Sequence, residues 1–176
     1  MKTIILVPMM YSENEIREIL NEIPQDFEKE SNEFWNYIGD KLRQLGTSVN
    51  EVYLVLGEEV TDSKAKGIIN ALQGKGAELH KIEDKTLVGE ARAWHLTPQS
   101  SGGFQEEFLE DINSEISDTL RPMLDSYLED KEVGVVFFEP TCNLSIQTDV
   151  RVIRMAPFDP KDYLTRHLTL KRLRGT

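Results

Sequence analysis

A chain of 176 residues with 39% hydrophobic and 29% charged side chains has the size and composition of one globular domain, which excludes a disordered or fibrous protein. A net charge of -11 sets the molecule against phosphate backbones, so no nucleic-acid binding is expected; no apolar run approaches the roughly 20 residues that cross a bilayer, so no membrane association is expected either. Cys142 is the single cysteine, which rules out an internal disulfide and fits a reducing, cytoplasmic setting.

Thr3 to Val7 is an apolar run closed by Pro8 and reads as a first strand covered on both faces. Ser12-Glu13-Asn14-Glu15 spells a capping box, in which the serine hydroxyl accepts from the third helical amide and the glutamate reaches back. The helix it opens carries Ile16, Ile19, Leu20 and Ile23 at helical spacing and stops at Pro24. A second helix from near Asp26 holds Phe27, Phe34, Trp35, Ile38, Leu42 and Leu45 on one stripe, with Gly46 expected as its C-cap.

Val52 to Gly57 reads as the second strand, with Glu58 and Glu59 at its carboxyl end. A weaker helix follows through Ala65, Ile68, Ile69 and Leu72, because Gly67 inside it costs about 1 kcal/mol relative to alanine. Ala77 to Ile82 is the third strand and ends in Glu83 and Asp84, the latter placed to cap a helix bearing Leu87, Val88, Ala91 and Trp94. Thr97 to Gly103 is a strong loop signal, and a long amphipathic helix runs from Phe104 to Glu129. Pro122 is expected to kink or break that helix near Asp118 to Arg121.

Val133-Gly134-Val135-Val136-Phe137-Phe138 is the least interrupted apolar strand and reads as the centre of the sheet. Asp149 to Met155 is a last strand, edge-like because of Arg151 and Arg154. Pro157 and Pro160 then break the chain ahead of a short helix or irregular arm. Strands alternating with helices give a single three-layer α/β domain over residues 1–156, with a mainly parallel sheet of about five strands and helices on both faces. Residues 157–176 form a basic C-terminal arm. From Arg151 onward seven basic residues stand against Asp159 and Asp162, a net of +5, which leaves -16 on residues 1–150. The arm is therefore expected to pack on the acidic domain or on a partner subunit, with a homodimer as one outcome.

Ligands of open α/β sheets sit outside the carboxyl ends of the strands, which directs attention to Glu139-Pro140-Thr141-Cys142-Asn143. The first expectation is a domain that binds a small molecule or a divalent cation there, with Tyr11, Glu139, Thr141 and Asn143 as ligand-binding residues. Glu58, Glu59, Glu83 and Glu139 would share one sheet edge and offer oxygen ligands to Mg²⁺ or Mn²⁺. Glu58, Glu59 and Asp84 read equally well as helix-start charges, whereas no helix start follows Glu139 closely. The alternative is a hydrolase-like enzyme using Glu139 with a metal or Cys142 with a histidine, and a third is a structural or interaction subunit. His80, His95 and His167 hold no recognisable spacing to Cys142, and His80 has no second metal-type residue at ligand spacing along the chain. Neither a Gly-x-Gly-x-x-Gly nor a Gly-Lys-Ser/Thr motif follows the first strand, so no nucleotide cofactor is expected.

Overall fold

The computed structural model describes residues 1–82, 84–97, 104–147 and 149–175. Five strands, β1 (Lys2–Pro8), β2 (Glu51–Val55), β3 (Glu78–Lys81), β4 (Val133–Phe138) and β5 (Val150–Arg154), form one parallel sheet in the order β3-β2-β4-β1-β5. The helices are α1 (Glu13–Leu20), α2 (Phe27–Arg43), α3 (Ser63–Gly74), α4 (Lys85–Leu96), α5 (Phe104–Tyr127) and α6 (Pro160–Arg174). This is a single-domain α/β fold. The loop expected over Thr97 to Gly103 lies, beyond Thr97 itself, outside the described residues. Among the described residues no helix is long and apolar enough to cross a membrane.

β4 occupies the centre of the sheet because it has no polar face to offer water. Val135, Val136, Phe137 and Phe138 are all buried, and successive side chains enter opposite cores. Val135 and Phe137 join the core under α1, α2, α3 and α6; Val136 and Phe138 join the core under α4 and α5. Gly134 answers a close approach: a β-carbon there would lie 2.9 Å from Ile4 Cδ1 and 3.1 Å from Tyr53 Cε2. β3 and β5 are the edges, and Val152 and both arginines of β5 are exposed, as the charged pattern of that strand anticipates.

The local signals at helix starts act as the chemistry requires. Ser12 Oγ accepts from Glu15 N at 3.2 Å while Glu15 Oε1 accepts from Ser12 N at 3.0 Å, completing the capping box. Asp62 accepts from the amides of Lys64 and Ala65 to start α3, and Asp84 accepts from Leu87 N to start α4. Two expectations need correction. α2 ends on Gln44 in a right-handed conformation, its amide returning to Asp40 O, so Gly46 is not the cap. α5 continues as one element through Pro122, so no break separates its two halves. Its buried stripe of Ile112, Ile116, Leu120 and Leu124 runs past the proline on one face, and that packing holds the helix together where the backbone bond is lost.

The arm beyond Asp159 is a 15-residue helix, α6, capped by Asp159 with Pro160 at its first turn. It lies on its own domain: Tyr163 and Leu164 are buried in the core of α1 and α2, and the Tyr163 hydroxyl donates to Asp26 Oδ1 at 3.0 Å. Arg174 pairs with Glu22 at 2.7 Å, and Lys171 Nζ donates to the Leu20 carbonyl at the end of α1.

The direction of chain crossing defines the crevices. β1 and β2 are each followed by helices on one face of the sheet, whereas β3 and β4 lead to α4, α5 and the 139–147 segment on the other. Neighbouring strands that depart to opposite faces open a cleft at their carboxyl ends, and β1/β4, β2/β4 and β2/β3 are all such pairs.

Candidate functional site

Glu139 is the first residue beyond β4. Its amide donates to Val55 O of β2 at 2.8 Å, and Met9 N at the end of β1 donates to Phe138 O at 2.9 Å, so the carboxyl ends of three strands meet around it. A turn closed by Cys142 N donating to Glu139 O at 2.9 Å folds Thr141 back beside the carboxylate. Only 3% of Glu139 is exposed, and a carboxylate that deep needs partners.

It has them. The hydroxyls of Tyr11 and Thr141 donate to Oε1 at 3.1 and 3.3 Å. From α4, Arg92 donates through Nε and Nη2 to Oε2 at 3.2 and 2.5 Å, and its Nη2 also reaches Glu15 Oε2 on α1. The guanidinium lies 5.6 Å from the centre of the Tyr11 ring. Glu15 thus serves two structures at once, with one oxygen in the capping box and the other on Arg92. The bridge Glu15–Arg92–Glu139 ties helices of both layers to the end of the central strand.

The electrostatics follow from burial. Loss of water alone would lower the pKa of Arg92, but the charge of Glu139 and then the hydrogen bonds to it outweigh that and hold the guanidinium more firmly ionised. Burial, then the neighbouring Glu139 charge, raises the Tyr11 hydroxyl well above its ordinary range, which keeps it a donor. Burial, then Glu139, pushes the Cys142 thiol up to about 12, so it stays protonated at neutral pH and packs as a small apolar group under α5.

The candidates read from the sequence separate accordingly. Tyr11, Glu139 and Thr141 form one hydrogen-bonded group. Asn143 is exposed and turned toward α5, its amide donating to Asn113 Oδ1 at 3.0 Å. Glu58 and Glu59 are exposed on the loop after β2, and Glu83 lies outside the described residues. Among the described residues, Glu58, Glu59 and Glu139 do not bring ligand atoms together at metal-binding distance. His95 lies on α4 toward Lys161, with its pKa lowered by burial and then by that lysine; His167 lies on α6, 3.3 Å from Asp26; His80 lies on β3. Burial, Glu139 and Arg92 set the state of the Cys142 thiol, and no histidine is among the groups that move it.

One opening adjoins the bridge, and a second shares a wall with the first. A cavity of about 30 Å³ lined by Tyr11, Ser12, Glu15, Glu58, Arg92 and Glu139 has room for a water or two. Beyond Leu56, Glu58, Glu59 and Val60, which both openings share, a cleft of about 230 Å³ lies over the carboxyl ends of β2 and β3. Its floor includes Leu56, Ile69 and Ile82, and its rim carries Lys66, Lys81 and Lys85, none of them in an ion pair among the described residues.

Sequence reasoning missed Arg92 and these lysines. Arg92 sits one residue past Ala91 and four past Val88 on the buried stripe of α4, and an arginine on an apolar stripe is the signal that could have found it. No protein-family model, no curated protein and no solved structure matches the chain.

Proposed function

We propose that the protein binds a small organic anion in the cleft over the carboxyl ends of β2 and β3. The observation that carries this reading is the pairing of an apolar floor with three lysines, none ion-paired among the described residues, at a point where neighbouring strands depart to opposite faces. Leu56, Ile69 and Ile82 would cover a short hydrocarbon or ring, and Lys66, Lys81 and Lys85 would meet a carboxylate or phosphate at its end. A volume of about 230 Å³ lies just below that of drug-sized pockets, which favours a ligand of metabolite size. Glu139, fully engaged with Arg92, Tyr11 and Thr141, lines the smaller neighbouring cavity and serves as a fixed structural anchor rather than as a metal ligand or a general base.

Hexanoate and phenyl phosphate combine an anionic end with an apolar body and serve as probes. At a hundred times the dissociation constant a ligand adds about 2.7 kcal/mol, a rise in melting temperature of roughly 5–10 °C for a domain of this size. The rise is expected with both probes and is expected to vanish in Lys66→Glu and Lys81→Glu, which leave the core untouched because both lysines are exposed. Melting curves indifferent to both probes, or equally responsive in the two variants, would remove this reading.

A further inference from the structure

We propose that Glu51, Glu78 and His80 form a binding site for a divalent transition-metal ion, with Zn²⁺ as the best-matched member of the class. The site stands at the amino ends of β2 and β3, the opposite end of these strands from the cleft above, and is independent of it. In the parallel register Glu51 faces Glu78 and Tyr53 faces His80, so the pleat sets all four side chains on one face of the sheet. One oxygen from each glutamate and one imidazole nitrogen lie within 4.8 Å of one another. His80 Nε2 and Glu51 Oε2 are 2.7 Å apart and largely shielded from water, while the Glu78 side chain is exposed at the mouth and has no hydrogen bond or ion pair among the described residues.

Metal–ligand bonds of about 2.0–2.2 Å place two ligand atoms at most about 4.4 Å apart, so rotation of the exposed Glu78 side chain completes the triangle. One imidazole and two carboxylates suit zinc, and three protein ligands leave a fourth position open. Tyr53 supplies the second, independent sign of a ligand. It is wholly buried, its ring stacks on His80 at 5.2 Å, and its hydroxyl has no hydrogen-bond partner among the described residues. Such a group ordinarily finds one. A water on the fourth position of the ion would give that hydroxyl a hydrogen-bond partner, donating to its oxygen. Tyr127 of α5 also stacks on His80, at 4.0 Å, and helps to fix the ring plane.

The rival account is a Glu51–His80 hydrogen bond and nothing more. Glu78 separates the two, since that bond does not involve it. Full-length protein stripped with a chelator is titrated calorimetrically with Zn²⁺. One equivalent is expected to bind to the wild type, with a tyrosine difference spectrum from Tyr53 and Tyr127. Glu78→Gln is expected to weaken binding at least tenfold while leaving the metal-free melting curve unchanged, and His80→Gln to abolish the spectral change. Absence of stoichiometric binding, or equal affinity in the wild type and Glu78→Gln, would overturn the site.

Discussion

Arg92 is a buried cation with two carboxylates, and the three charges are not interchangeable. Glu139 is almost entirely enclosed whereas Glu15 retains some contact with water. Breaking a buried pair from one side strands the other charge, at a cost of about 3–5 kcal/mol, while replacing both partners by apolar groups of similar volume is often close to neutral. Arg92→Met is therefore expected to destabilise by about 3 kcal/mol or more, and Arg92→Met combined with Glu139→Gln by clearly less than the sum of the single changes. Urea denaturation of the four proteins in a double-mutant cycle measures this coupling; additive losses would mean that the bridge is not an energetic unit. Arg92 also marks where reading the sequence stops. Its partners Glu15 and Glu139 are 77 and 47 residues away along the chain, and nothing in local spacing links them. The surroundings of His80 are only half readable: Glu78, two residues before it on β3, shares its face by the strand period, but Glu51 becomes its neighbour only once the register of β2 and β3 is set.

At the scale of elements the sequence is far more informative, because capping and burial are local. The unbroken apolar run of β4 identifies the centre of the sheet without any knowledge of strand order, and Ser12 with Glu15 locates the start of α1 to the residue. Gly134 inside β4 is a different matter, for only the packed structure explains it. The space that a side chain there would need is occupied by Ile4 and Tyr53, one from each neighbouring strand, and both are fully buried. Overpacking a closed core costs typically about 1–3 kcal/mol. Gly134→Ala is expected to fall in that range despite the better strand propensity of alanine, and Gly134→Val to exceed it. Equilibrium unfolding midpoints test this, and a Gly134→Ala protein as stable as the wild type would show that Tyr53 can retreat.

For the molecule as a whole, the charge asymmetry between the acidic body and the basic C-terminal segment is resolved internally, with α6 laid across α1 and the start of α2. Burial of Tyr163 and Leu164 contributes about 1.5–3 kcal/mol each, and the surface pairs of Arg166 with Asp26 and Arg174 with Glu22 add little at physiological salt. Truncation after Ala156 is expected to lower the melting temperature by roughly 10 °C, with a loss that changes little between low and high salt because packing rather than charge dominates. Calorimetric scans of both forms decide the first point, and size-exclusion mass of the full chain and the truncation shows whether α6 also joins two copies. An unchanged melt would make α6 dispensable to the fold.

The strand order carries a consequence for how the chain comes into being. Among the described residues β1 pairs with β4 and β5 and with no strand nearer in sequence, so its first partner begins only at Val133. At roughly 5–20 residues per second of synthesis, the apolar Lys2–Pro8 segment waits on the order of ten seconds at the ribosome before a strand exists to pair with it. Nascent chains thus carry both edges of that strand unpaired through the interval between β1 and β4, with only α1 and α2 at hand to lie against one of its faces.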